Sequence, residues 1–265
     1  VRTWRDREQV VYLPGPSLKG VIRSHCERIV RTVGEGRSCN PVAKGKSCVE
    51  LNGLKQEHDG KHVHSRSCFI CQMFGNTVLA GRVRTKDAYP IDPDAVRTEE
   101  RNGVAIDRVF GSVAVGPFQM EVVTSGKFKT TITIRNFTVA QLGLLALALR
   151  DIKLGRVGVG FGKSRGLGHV TLEWDTLRLR YLREPAERNR LYGVARLLGQ
   201  KEAGRYGYVA KNGAVFGYTS SDQDTSADLP TGLAFGDDNG WGEWELQVPP
   251  ERIEAVWKTC IPAWK

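Results

Sequence analysis

The chain reads as an α+β protein built on a βαββαβ split unit, the ferredoxin-like arrangement in which an antiparallel sheet carries two helices on one face. Three observations predict this. A strand-like "QVVYL" (Gln9 to Leu13) runs into a stretch of helical period, two strand-like runs follow within "FQMEVVTSGKFKTTITIRN", and a capped apolar helix then feeds a glycine-rich loop and a further strand.

Taken in order, the first helix follows the Pro14-Gly15 turn. Ser17 suits its N-cap, and Leu18, Val21, Ile22, Ile29 and Val33 recur at roughly helical spacing, so that side faces a core. Lys19, Arg23, Glu27 and Arg31 lie four apart and form one ridge. A helix start offers unpaired N–H groups and a positive dipole end, so a basic ridge there seeks phosphate; the other reading is a solvated face on an ordinary core helix.

From Gly34 to Gly81 periodicity is lost, while Gly, Lys, His and four cysteines accumulate. A structureless excursion of that length needs an organiser, and a bound metal supplies one. "GRVRTKDAY" (Gly81 to Tyr89) resumes as a strand, and the polar, Gly-interrupted stretch from Pro90 to Pro117 projects as a loop or hairpin. Two strands joined at Ser125-Gly126 come next, with Phe128, Ile132 and Ile134 alternating against polar neighbours. Thr138 and Gln141 form a capping box that opens an apolar helix to about Lys153. After the glycine-rich loop a strand-like run reaches about Leu182. Beyond it, Trp241, Trp244, Trp257 and Trp264 crowd an appended region expected to pack its aromatics on the body. The expected division is a domain over 1–183, with an insertion at about 34–81, and a Trp-rich extension over 184–265.

At 265 residues the chain can bury a full core. Its formal net charge of +10 calls for an anionic partner, with RNA, DNA and acidic membranes all open on charge alone. The longest apolar stretch, "LGLLALAL" (Leu142 to Leu149), is too short to span a bilayer, and no charged-then-apolar leader signals secretion. A soluble, cytoplasmic protein is the expectation, with its six cysteines reduced or bound to metal.

Cys68-Phe-Ile-Cys71 has the spacing by which two thiolates grip one tetrahedral ion, and Cys39 and Cys48 lie upstream in the same insertion. Four sulfurs suffice for a closed structural zinc site. His58, His62 or His64 can replace Cys39 or Cys48 as a ligand, and a redox CxxC or packed core thiols are the competing readings. Cys26 and Cys260 read as packed thiols.

"GRVGVGFGKSRGLG" (Gly155 to Gly168) places Arg156, Lys163 and Arg165 among six glycines. A P-loop needs glycine where Val157 stands, and a dinucleotide fingerprint needs a strand before and a helix after, the reverse of the order here. What remains is a backbone free to approach a ligand closely with cations interleaved, which suits a sugar-phosphate chain; a flexible loop kept soluble by its charges is the alternative.

Three passages together carry a resemblance: "YLPGPSLKGVIRSHCERIVRT"; "CFICQMFGNTVLAGRVRTKDAY" with "NGVAIDRVFGSVAVGPFQMEVVTSGKFKTTITI"; and "GVGFGKSRGLGHVTLEW". Over about Tyr12 to Trp174 the chain resembles the backbone subunits of type III CRISPR effector complexes, the RAMP superfamily, and most of all their zinc-bearing type III-D and III-E forms. The resemblance implies an RRM-like core that grips CRISPR guide RNA by its backbone, stacks on like RAMP subunits or domains, and inserts a thumb that kinks the guide–target RNA duplex. Carried over by position, Ser17, Lys19, Gly20 and Arg23 touch guide phosphates, as do Lys163, Ser164 and Arg165, and the thumb falls at about 90–118. Related subunits cleave target RNA with an acidic residue before the Pro-Gly turn and a divalent ion such as magnesium. Asp6 is the only aspartate there. His25 resembles the histidine that matures guide RNA in the single-chain effector, where a neutral imidazole serves as general base; a packed histidine and a zinc ligand in place of Cys39 are the competing readings. The implied function is a guide-RNA-binding scaffold, with a metal- or His-dependent endoribonuclease as the second reading.

Overall fold

The computed structural model describes residues 1–5, 7–33, 38–194 and 226–264. Along the chain run β1 (Arg2–Arg5), β2 (Glu8–Val11), α1 (Gly15–Val33), α2 (Cys48–Leu51), α3 (Gly60–Arg66) and α4 (Phe69–Phe74). Then come β3 (Val83–Thr85), β4 (Tyr89–Pro90), β5 (Arg97–Ile106), β6 (Val113–Ser125), β7 (Phe128–Lys129), β8 (Ile132–Ile134) and α5 (Val139–Lys153). The remainder holds β9 (Leu177–Tyr181), β10 (Arg190–Tyr192), β11 (Ser226–Asp228), β12 (Trp244–Val248) and α6 (Pro250–Cys260). The architecture is α+β. Contacts divide it into two units, Val1–Leu18 with Thr85–Ile132, and Lys19–Arg84 with Thr133–Lys265.

In the first unit, close approach dictates the Pro-Gly turn. A Cβ on Gly15 would meet Thr85 O at 2.5 Å, so only glycine lets the chain pass. Thr85 Oγ1 donates to Gly15 O (2.6 Å) and Gly15 N–H donates to Asp87 Oδ1 (2.6 Å). Helix α1 therefore starts at Gly15, and Ser17 lies inside its first turn rather than at the N-cap as its residue type predicts. The first orphan donor is satisfied by a carboxylate distant in sequence. Beside this turn Tyr12 stacks on Tyr89 at 5.7 Å, and the Arg5 guanidinium carbon lies 4.5 Å from the Tyr89 ring centre.

Strands β5 and β6 form a long antiparallel hairpin in register from Arg97↔Ser125 to Ile106↔Val113. Asp107 shapes its tip, accepting from Val109 N–H (2.7 Å) and Phe110 N–H (2.8 Å), and Phe110 is 85% exposed there. The hairpin expected across Ser125-Gly126 does not form. β6 pairs backwards with β5, while β7 and β8 pair with β4 and β3. The charged alternation of "RTEERNGVAI" hides β5, because both of its faces meet water and neither reads as apolar.

The described strands make six two-stranded ladders, so the single four-stranded sheet of the split unit does not appear among the described residues. The cause is local. Leu13 bridges Ala88, but the strand that continues from it reaches only Pro90, which has no N–H to give, and the Thr130 hydroxyl replaces a ladder bond by donating to Lys86 O (2.6 Å).

In the second unit α1 buries Ile22, Cys26 and Val30, a narrower stripe than its apolar residues suggest, and Val33 is exposed. Helix α5 opens on the predicted capping box, Thr138 with Gln141. It is buried nearly all round. Its Val139, Leu142 and Ala146 join Leu179 and Tyr181 of β9, Leu246 and Val248 of β12, and Ile253 and Trp257 of α6 in one core. β9 pairs with β12 from Leu177↔Val248 to Tyr181↔Trp244. The strand expected to reach about Leu182 spans only Leu177–Tyr181. One hydrophobic core thus runs across residues 183 and 184, the boundary drawn from composition. Trp257 packs on Trp174, and Trp264 stacks on Phe69 at 5.2 Å. No helix among the described residues is long and apolar enough to cross a membrane.

Candidate metal centre and nucleic-acid interface

Three short local structures bring four sulfurs together. Asn40 fixes the loop that carries Cys39 by accepting from the N–H groups of Val42 and Ala43, both at 3.2 Å. Ser47 caps α2, which begins with Cys48. Cys68 caps α4, its Sγ accepting from Cys71 N–H at 3.5 Å. All four side chains are buried, and their sulfurs lie within 4.8 Å of one another. Tetrahedral Zn–S bonds of about 2.3 Å put sulfurs about 3.8 Å apart. Cys39 Sγ and Cys71 Sγ are 3.6 Å apart, far beyond a disulfide bond of about 2.0 Å. None of the three candidate histidines enters the cluster; His62 Nδ1 instead bonds Glu57 at 2.8 Å.

The surroundings fit a cation. Arg23 Nη2 donates to Cys71 Sγ (3.6 Å) and Asn76 Nδ2 to Cys48 Sγ (3.8 Å), as outer hydrogen bonds orient thiolate ligands. Hydrogen bonds from Cys39, Cys68 and Cys71 hold the Cys48 thiol far below its ordinary value. The same bonding, to Cys39 first and then Cys48, pushes Cys68 and Cys71 up. Charge placed on one sulfur thus opposes charge on the next, and a central cation is what allows all four to ionise. These cysteines can hold a metal ion.

The ridge on α1 is partly committed to this centre. Arg23 donates to Glu27 (3.0 Å) and Gly75 O (2.8 Å), and Arg31 to Glu27 (3.3 Å) and Cys39 O (2.9 Å). Glu27 therefore clasps both arginines over the metal loop. Ser17 and Gly20 are exposed, and a Cβ on Gly20 would meet nothing within 4 Å. Lys19 is half-buried; burial first, then Arg23 and Arg84, pull its ammonium below the ordinary value. Sequence reasoning missed Arg84. Its signal was the outward position next to the buried Val83 in β3.

In the glycine-rich loop, Lys163, Ser164 and Arg165 make a single 3-10 turn between Gly162 (φ 70°) and Gly166 (φ 78°), both left-handed. All three side chains are exposed, and Arg165 lies 5.3 Å from the centre of the exposed Phe161 ring. The loop closes where Val159 N–H donates to Gly168 O (2.9 Å), an approach that a Cβ at Gly168 would block at 2.5 Å from Val159 O.

His25 is tied to α5. Its Nε2 bonds Asp151 Oδ2 at 2.8 Å, and its Nδ1 is enclosed without a hydrogen-bond partner. Asp151 also accepts from Arg156, the first cation of the glycine-rich loop, at 3.1 Å. Helix α1 and the loop thus meet through one carboxylate. Asp6 lies outside the described residues.

A family model described as the RAMP superfamily matches residues 1–171, from β1 through α1, the cysteine-bearing loop, the hairpin, α5 and the glycine-rich loop. No curated protein matches the chain.

Proposed function

Because this chain belongs to the RAMP superfamily, we propose that it is a guide-RNA-binding backbone subunit of a type III CRISPR effector, of the zinc-bearing type III-D or III-E kind, acting in the cytoplasm beside other RAMP subunits or domains. One observation carries the reading: Lys163, Ser164 and Arg165 stand exposed on a 3-10 turn between two left-handed glycines. Such a turn presents donors and charge to phosphates and reads no base, so binding follows the guide backbone and not its sequence. Ser17, Lys19, Gly20 and Arg23 extend the contact along α1. The β5–β6 hairpin, with Phe110 at its tip, has the form of a thumb whose apolar end wedges between base steps of the guide–target duplex.

Zinc, held by Cys39, Cys48, Cys68 and Cys71, would have no open coordination position and would act as a structural ion. Endoribonuclease chemistry, by His25 on guide RNA or by Asp6 with magnesium on target RNA, is the weaker reading. Nε2 of His25 is occupied and Nδ1 is enclosed, which leaves neither nitrogen facing a substrate hydroxyl.

The test is RNA binding by a folded triple variant, Lys19→Glu with Lys163→Glu and Arg165→Glu. Reversing three phosphate contacts is expected to weaken binding by more than about tenfold at moderate salt. Unchanged affinity would overturn the proposal.

A further inference from the structure

At the C-terminal end of α5 the charges do not balance. Arg150 Nε and Nη2 donate to Asp151 Oδ1 (3.3 and 3.0 Å), and Arg156 Nη1 donates to the same oxygen (3.1 Å), while Oδ2 faces His25. Two permanent guanidinium charges thus share one carboxylate oxygen, which leaves an excess positive charge whatever the state of His25. Among the described residues no second carboxylate bonds either arginine.

The geometry separates an anchor from a working face. Asp151 is 9% exposed, whereas the Arg150 and Arg156 side chains are 49% and 60% exposed. Each guanidinium carries five N–H donors in a fixed fork, and the carboxylate engages only one edge or one nitrogen of it. The remaining donors belong to half-exposed side chains that the carboxylate already holds. The helix end opposes an anion only in part, since the carbonyls of Arg150, Asp151 and Ile152 are capped by the N–H groups of Leu154, Arg156 and Gly155 at 2.9 Å, and the two guanidiniums outweigh its partial negative charge. The chain then turns through Gly155 (φ 69°) into the glycine-rich loop.

We propose that Arg150 and Arg156, held side by side by the Asp151 carboxylate, form a further phosphodiester site that grips RNA where the glycine-rich loop begins, with Asp151 as its positioning residue. This rests on the RNA-binding reading above and extends it to residues outside the loop's Lys-Ser-Arg turn. Two preset guanidiniums can take the two free oxygens of one phosphodiester, or one oxygen each of neighbouring phosphates, without ordering long side chains at the moment of binding.

The experiment measures binding of the full chain to labelled oligouridylate across a salt series, for the wild type, Arg150→Gln with Arg156→Gln, and Asp151→Asn. At about 0.7 per neutralised phosphate on a single strand, the double variant is expected to flatten the log K against log salt slope by about 0.7 if both arginines hold one phosphodiester and by about 1.4 if they hold neighbouring ones. Asp151→Asn removes a negative charge, so charge alone predicts tighter binding; a positioning role predicts severalfold weaker binding with the slope kept. Wild-type thermal midpoint and metal content would establish that each variant is folded, and the surface arginines carry the test should Asp151→Asn not fold. A salt-dependent wild type with an unaltered slope in the double variant would overturn this site alone. A wild type that ignores RNA would overturn it together with the parent reading, and Asp151→Asn binding more tightly would overturn the positioning role.

Discussion

Gly20 separates folding from binding at a single position. It is exposed within α1, and a Cβ there meets no atom within 4 Å. Gly20→Ala should therefore stabilise the helix by up to about 1 kcal/mol. If RNA runs along this face, the same methyl group should weaken RNA binding; thermal melts and anisotropy read the two effects independently. Asp151 makes a pH-dependent contribution. Burial pushes its carboxyl up, but bonds from His25 and Arg150 outweigh this and hold it below its ordinary value. A depressed native value stabilises above the unfolded pKa of about 3.9 and is lost as pH falls through the native one, so the wild type should lose stability relative to Asp151→Asn on acidification below about pH 4. A constant difference between their melting points down to pH 2 to 3 would contradict this, at about the acid end where such carboxylates titrate. At this scale the four cysteines were legible because ligand spacing is local. Asp151 was not, since its partners come from α1, α5 and the loop, and sequence distance conceals their convergence.

Among the elements, α2, α3 and α4 are each a few residues long, too short to persist on their own in water. Their order is expected to depend on the ion among the four sulfurs. Chelation, or Cys68→Ser, should lower the helical circular dichroism and the thermal midpoint together, and one equivalent of zinc should restore both to the chelated wild type but not to the variant. No change on verified metal removal would exclude a structural ion. Helix α5 was legible in full because a capping box and an apolar run are both short-range signals. The start of α1 was not: Asp87, rather than Ser17, satisfies its first donor, from 72 residues away. A projecting loop or hairpin over 90–117 was legible, but the pairing of β6 with β5 as far as Ser125 was not, since a strand wet on both faces carries no alternation to read.

For the molecule as a whole, the family match ends at residue 171, yet the core around α5 does not. Leu179, Leu246, Val248, Ile253 and Trp257 all pack with Val139, Leu142 and Ala146. A chain truncated after Trp174 would expose that apolar face of α5 and is expected to aggregate, whereas the full chain stays dispersed; light scattering on the two decides it. A monodisperse, cooperatively melting truncation would show that the family-matched segment is self-sufficient. The α+β class was legible from element order, but the ladders were not, because which strands share hydrogen bonds depends on turns and on Pro90 and not on composition. The net charge of +10 announced a polyanion, and only the folded chain shows how its cations divide. Some, such as Arg23 and Arg31, also bond Glu27 and backbone carbonyls of the chain, while Lys163 and Arg165 face outward.

The contact of Arg23 with both Cys71 and Gly75 has a practical corollary. If an ion held there leaves, the guanidinium keeps Glu27 but loses the fixed sulfur and the Gly75 turn, so a partly demetallated batch would contain two species with different surfaces. Affinities from such a batch would average over both, and a chelating resin or reductant chosen at purification would shift the average. Metal content therefore belongs beside every dissociation constant measured for this protein.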